Sequence, residues 1–252
     1  MALGKTSFGD FCPVWNPWFG CSKVSDGCKN CYIFPNDNKF INIFCPLDAT
    51  DYPKGTFVTV GLRTDVFLKE ADELRPLMWE TIKKNPDLIF SIYTKRIERV
   101  EQCLPSDWED GYDNVIIQVS VENQEQADIR IPYLISLKAK HKWIACSPML
   151  EQIDLKPYLS TGEIEEVSAT GERDTHFNAR PTYFNWIKDL VDQCKNFDIR
   201  FSFLYCGSNF ILPTGQIIKN HPQWGHNTLE ESLGLYYYKP ITFNLKTITK
   251  TF

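Results

Sequence analysis

At 252 residues with 43% hydrophobic content, the chain can bury a full core as one large α/β domain or two small ones, which excludes a disordered chain. A net charge of −5 and a pI near 5.5 exclude a nucleic-acid binder that works through total charge. Total charge is silent on a local basic lining. No stretch approaches the roughly 18 uncharged apolar residues that a membrane span needs, and the opening "MALGKTSFGD" lacks the basic start and apolar run of a signal peptide. The expected location is therefore cytoplasmic, with no membrane partner.

Nine cysteines, an odd count in a reducing compartment, point to a metal, a cluster or core packing before disulfides. Cys103, Cys146 and Cys194 lie in apolar surroundings and read as core, while Cys12, Cys45 and Cys206 carry no assignment from sequence.

In chain order, a first strand is expected near "FCPVWN". The stretch "NPWFGCSKVSDGCKNCYIF" follows over residues 16–34, with Cys21, Cys28 and Cys31 within eleven positions. Three thiolates on a Gly-containing loop can hold an iron-sulfur cluster by three irons and leave the fourth iron open. A zinc ion instead needs a fourth ligand, which Cys12, Cys45 or a distant His could supply. Both readings stand on spacing alone.

From residue 56 onward, short apolar runs rich in β-branched and aromatic residues alternate with segments of helical spacing, the pattern of βαβ units and a parallel sheet. The expected strands are "TFVTVGL" (56–62), "LIFSIYT" (88–94), "VIIQVSV" (115–121), "KWIACSP" (142–148), "EIEEVSAT" (163–170) and "IRFSFLY" (199–205). Between them, Leu74, Leu77, Met78 and Ile82 share one helical face, as do Ile187, Leu190, Val191 and Cys194. Pro181 fits the first turn of that last helix, and Pro132 is expected to kink or restart the helix after "VSVENQEQADIR". With no Gly/Ser linker, the pattern predicts one incomplete (β/α) barrel of about six to seven mostly parallel strands over residues 1–206. Residues 207–252 break the alternation and are expected to form an extension that packs on the barrel.

Chemistry in such barrels sits at the C-terminal strand ends. Those ends carry Arg63, Thr64 and Asp65; Thr94, Lys95 and Arg96; Ser120, Glu122 and Asn123; Ser147; and Thr170, Gly171 and Glu172. Each also has a purely structural reading. Asp65 can cap the helix that follows, Lys95 and Arg96 can be solvated surface charges, and Ser120 and Asn123 can cap a helix. Trp15, Trp18 and Tyr32 can shield a reactive centre or fill the core. His176, beside Arg173 and Asp174, reads as an exposed loop residue or a substrate contact.

"NPWFGCSKVSDGCKNCY", followed in order by "SIYTKRIERV", "VSVENQEQADIRIPYL", "ACSPMLEQIDL" and "TGERDTHFNARPTYFNWIKDLVDQC", resembles a phage-associated three-cysteine-motif family of unknown function. That family is similar to radical S-adenosylmethionine enzymes of the spore photoproduct lyase-like branch. The resemblance implies a radical-SAM-like barrel in which Cys21, Cys28 and Cys31 carry a 4Fe-4S cluster and its open iron chelates S-adenosylmethionine. Electrons would come from an external donor such as flavodoxin or ferredoxin, and a 5'-deoxyadenosyl radical would take hydrogen from a substrate. A nucleobase in nucleic-acid modification or repair is the substrate class the resemblance favours. It also implies that Thr64 and Asp65 receive the cofactor's amino group, that Lys95 or Arg96 meets its carboxylate, and that Ser120 with Glu122 or Asn123 binds the ribose hydroxyls. The chain departs from the branch in its first cysteine gap, six residues where three are common, and in "ATGER" and "FLYCG" near the substrate side. The alternative from another class is a non-catalytic zinc or iron-sulfur module that binds nucleic acid or protein.

Overall fold

Each of the seven expected strands forms. They are β1 (Val14–Trp15), β2 (Phe57–Val60), β3 (Ile89–Thr94), β4 (Val115–Val121), β5 (His141–Cys146), β6 (Glu166–Thr170) and β7 (Arg200–Tyr205). The computed structural model describes residues 4–6, 9–33, 39–173, 178–219 and 232–251. All seven strands are parallel and lie side by side in chain order. An eighth, β8 (Tyr236–Tyr237), comes from the tail and pairs antiparallel with β7, closing that edge. The result is a mixed α/β fold whose curled, mostly parallel sheet forms half a barrel.

The pleat sorts the sheet's side chains into two environments. One face carries Val58 and Val60, Phe90 and Ile92, Ile117 and Val119, then Ile144 and Val167, which fall into register across the strands. This face packs under the helices α1 (Arg75–Lys84), α2 (Gln124–Ser136) and α4 (Phe184–Asn196), while the short α3 (Lys156–Leu159) sits between β5 and β6 in sequence. Strands buried on this side read as continuous apolar runs, as expected of parallel sheets.

The other face is layered. Near the strand starts, Phe57, Ile89, Ile116 and Trp143 form an apolar floor that the tail covers with Ile241, Phe243 and Leu245. Phe57 stacks on Trp143 at 5.9 Å, and Phe243 lies 4.3 Å from the His141 ring. Further along the strands the same face turns polar. Ser91 donates to Gln118 Oε1 at 3.2 Å, and Gln118 Nε2 donates to Ser168 Oγ at 2.9 Å. Beyond that layer lie the charged strand ends. The hairpin of Thr242–Asn244 and Thr249–Thr251 lies at this floor.

Three local expectations need correction. Leu77 is 40% exposed, because the buried stripe of α1 runs through Arg75, Met78, Trp79 and Ile82, the i, i+3, i+4, i+7 positions one step away. Pro181 does not open α4; the strand Thr182–Tyr183 intervenes and the helix starts at Phe184. Pro132 sits inside α2 without dividing it. It lies on the exposed side, and the residue whose carbonyl loses its donor, Asp128, is exposed as well, so water can satisfy that group. Among the described residues, no helix is long and apolar enough to cross a membrane.

Candidate functional site

The three-cysteine segment leaves β1 and lies across the C-terminal ends of β2, β3, β4 and β6, tied to each by a separate contact. At β2, the Thr64 hydroxyl donates to Gly20 O at 2.6 Å, and Tyr32 Oη donates to Leu62 O at 2.5 Å. Gly20 has φ +96°, and a Cβ there would stand 2.4 Å from Lys39 O, so only glycine lets the two segments cross. At β3, Arg96 donates to Ser22 O at 2.8 Å and Ser22 Oγ at 2.7 Å, with its other nitrogen 3.8 Å from Cys21 Sγ. At β4, Glu122 Oε1 accepts the Gly27 N–H at 3.2 Å. A Cβ on Gly27 would come within 2.8 Å of the Glu122 carboxyl carbon, so this approach also requires glycine. At β6, Glu172 accepts from Asn30 Nδ2 at 3.0 Å, and Arg180 bridges Glu172 to Asp26.

Two buried carboxylates organise the charges behind this segment. Asp65 accepts four donors: Phe67 N at 3.0 Å, Thr94 Oγ1 at 2.9 Å, Lys95 N at 3.0 Å and Arg96 at 3.1 Å. A carboxylate offers about four lone-pair sites, so Asp65 is filled by the protein itself. It anchors Arg96 and the turn after β3 and has no site left over for a cofactor ammonium. Glu122 is fully buried and accepts from Lys95 Nζ and Arg130, each at 2.9 Å. Burial alone would raise its pKa; Lys95 and Arg130 overcome that and hold it at about 2. Two cations against one carboxylate leave a net positive charge at the end of β4. Lys95 also donates to Ser147 O at 3.0 Å, which uses two of its three N–H donors.

Of the other expected site residues, Ser120 is buried on the sheet face shared with Glu122, and its carbonyl accepts from Arg130. Asn123 is the N-cap of α2, its side chain accepting from Gln126 N at 2.9 Å, which is its structural reading. Trp15 and Trp18 are core residues, whereas Tyr32 is half-buried against the loop. Cys12 lies in the apolar floor, Cys206 is buried, and Cys103, Cys146 and Cys194 are core as expected. Cys45 is half-buried and donates its N–H to Pro17 O at 2.7 Å. His176 lies outside the described residues.

Arg130, Arg180, Asp26 and Asn30 belong to the site without having been singled out by sequence. Arg130 left a trace, since it occupies a position on the stripe of Ala127, Ile131 and Leu134, where a charge needs a buried partner. Arg180 left none, because its partners are brought to it by the fold.

Burial acts on two of the thiols. It pushes the Cys21 pKa up to about 11, with the Asp65 charge adding to the rise and Arg96 opposing it, and it raises Cys31 as well. Cys28 acts electrostatically on both of the other thiols, so the three are neighbours. Among the described residues, no group of three or more His, Cys, Asp or Glu side chains converges on one point as a site for a metal ion.

A family model covers residues 8–221 of this framework, from before β1 to past β7. The chain belongs to the DUF5131 family. The description of DUF5131 is a protein of unknown function, so membership adds no activity. No curated protein and no solved structure matches the chain. The DUF5131 match spans all three cysteines and every tie described above.

Proposed function

We propose that this DUF5131 protein is a radical S-adenosylmethionine enzyme whose Cys21, Cys28 and Cys31 hold a 4Fe-4S cluster at the mouth of the half-barrel. One observation carries the reading: three thiols share a loop that is fastened across the C-terminal strand ends by side chains from four strands. When bound, cluster and cofactor supply reductive cleavage of a carbon–sulfur bond and a carbon-centred radical able to take hydrogen from substrate.

The chain's own residues supply position and charge. Arg96 sets the Cys21 end of the loop through Ser22 and places positive charge near the sulfur, which favours thiolate. Glu122 sets Cys28 through Gly27, one residue away. Lys95 has one N–H left for a carboxylate such as that of a bound amino acid. Thr64 after β2 and Ser120 on β4 offer hydroxyl oxygens on either side of β3, while Asp65 and Asn123 serve behind them as anchor and helix cap.

The test begins with anaerobic reconstitution and metal analysis. About four irons per chain are expected, falling away in Cys21→Ala, Cys28→Ala and Cys31→Ala but kept in Cys12→Ala and Cys45→Ala. S-adenosylmethionine must then alter the reduced cluster's paramagnetic resonance spectrum, and dithionite must release 5'-deoxyadenosine. A colourless protein with one zinc and no iron would replace this reading with a non-catalytic metal module.

A further inference from the structure

Pairing in register stacks the inner-face side chains of the half-barrel in rows. Below the charged strand ends, one row reads Ser120, Ala145, Ser168 and Ser202 across β4, β5, β6 and β7. Two residues deeper, the next reads Tyr93, Gln118, Trp143, Glu166 and Arg200 across β3 to β7. Successive rows on one face stand about 6.6 Å apart. Closed barrels fill such layers with bulky branched side chains. Here four neighbouring strands carry only Ser and Ala, which leaves a recess between the mouth and the deeper row. Ser120, Ser202 and Thr170 keep 7%, 6% and 8% exposure, whereas Val119, Ile144 and Val167 on the helix-covered face have none. Solvent thus reaches the inner face at this level.

The bottom of the recess is polar and held in place. Gln118 ties the row together: it accepts from Ser91, donates to Ser168 and is hydrogen-bonded to the Tyr93 hydroxyl. Ser168 uses its oxygen there, which leaves its O–H to donate. Tyr93 is half-buried on the inner face, and Trp143 turns to the floor, stacked on Phe57 and donating to Glu165 at 3.1 Å. Glu166 is different. It is 2% exposed and Ser202 meets its carboxyl, yet Oε2 has no hydrogen-bond partner among the described residues. A buried acceptor left unmet is costly, and native structures seldom keep one without a use. Glu166 acts electrostatically on Tyr93, so the two are neighbours, and Arg200 Nε stands 3.5 Å from Oε2. An ionised Glu166 and Arg200 carry no net charge together. A charged guest beside them would be buried without a partner, whereas a neutral one would not.

We propose that this recess binds an uncharged amide group, whose N–H donates to Glu166 Oε2 and whose carbonyl accepts from the Ser168 or Tyr93 hydroxyl. An amide is a small planar group that presents a donor and an acceptor side by side, which is what these residues can meet. The recess lies beneath the opening read above as catalytic, so the amide belongs to its substrate and the inference rests on that reading for its purpose. Binding itself needs neither cluster nor cofactor.

The experiment is a saturation-transfer NMR titration of the full chain with acetamide, acetate and acetamidinium, run at pH 8, above the value of about 7 to which burial raises Glu166. The three probes share one shape and differ in charge. Acetamide should bind about tenfold or more tightly than either ion, because an ion would be buried unpaired. Glu166→Gln, which exchanges a charge-assisted hydrogen bond for a neutral one, should weaken acetamide about five- to tenfold. Tyr93→Phe or Ser168→Ala should weaken it about fivefold by removing the donor to its carbonyl. Ala145→Leu, which fills the recess, should abolish binding. Circular dichroism checks each fold; if Ala145→Leu does not fold, Glu166→Gln and the order of the three probes still decide. No acetamide binding, a charged probe bound as tightly, an unchanged affinity in Glu166→Gln, or binding that survives Ala145→Leu would overturn the proposal. Its failure is separable from that of the enzymatic reading. Acetamide bound by a protein that takes up no iron would remove the radical enzyme and leave the recess standing, and S-adenosylmethionine cleavage without acetamide binding would do the reverse.

Discussion

Glu122 and Glu166 are both buried on the same face of one sheet, and their surroundings drive them in opposite directions. At the mouth, Glu122 is held at about 2: burial opposes its charge, but Lys95 and Arg130 each donate at 2.9 Å and Gly27 adds a backbone N–H. Deeper in the half-barrel, burial raises Glu166 to about 7, with Arg200 opposing the rise. Its Oε2 stands 3.5 Å from Arg200 Nε without hydrogen-bond geometry. The difference lies in the number and aim of the partners, since the sheet, the burial and the residue type are alike. At the mouth two well-aimed cations keep the carboxylate charged, whereas at Glu166 burial outweighs one poorly aimed guanidinium.

Removing the charge at the mouth should have the largest effect. Glu122→Gln keeps the shape of the side chain but leaves Lys95 and Arg130 without their carboxylate. Stranding buried charge in this way costs about 3–5 kcal/mol. Urea unfolding should record that loss, and trypsin should cut faster at Lys23 and Lys29 because the Gly27 tie is weakened. A variant as stable and as resistant as the parent would mean that Glu122 does not organise the loop.

The pH dependence of stability separates the two carboxylates by sign. Glu166 binds its proton more tightly when folded than its ordinary value of 4.5 allows. Its contribution is therefore full below about 4.5 and is lost as pH rises to about 7, on the order of 3 kcal/mol. Glu122 behaves oppositely, contributing above the ordinary carboxylate value and losing that contribution as pH falls toward about 2. Urea midpoints measured from about pH 4 to pH 8 should slope downward in the parent over the Glu166 window. Glu166→Gln should flatten that slope, and a slope that persists would assign it to another group.

Much of this contrast was out of reach of sequence, for reasons specific to each residue. The strand ends were legible because a parallel sheet requires apolar runs at a βα rhythm, and all six runs after residue 56 became strands. The cysteines were legible from their spacing. Arg180 was not, because it meets Glu172 eight residues away and Asp26 across the fold, a pairing that no local pattern encodes. Asp65 and Asn123 were located, but only the structure gives their hydrogen bonds, and those bonds make one an anchor and the other a helix cap. Leu77 misled because a helical stripe shifted by one residue still contains Met78 and Ile82.

The smallest expected effect lies at the strand starts, where charge is as plentiful but solvated. Lys83 donates to both oxygens of Asp107 at 3.0 Å, and Tyr112 donates to Oδ1 at 2.8 Å. By distance alone this network rivals the one around Glu122. The Asp107 and Lys83 side chains are 55% and 42% exposed, however, so water replaces whatever the pair loses. Median exposed pairs contribute little for this reason, and salt screens what remains. A double-mutant cycle on Lys83→Ala and Asp107→Asn should find coupling near the limit of detection, vanishing in high salt. The corresponding cycle on Lys95→Ala and Glu122→Gln should find coupling that survives salt. Equal coupling in the two cycles would show that distance, and not desolvation, sets the strength of these networks, and would remove the physical basis for treating the mouth as a built site.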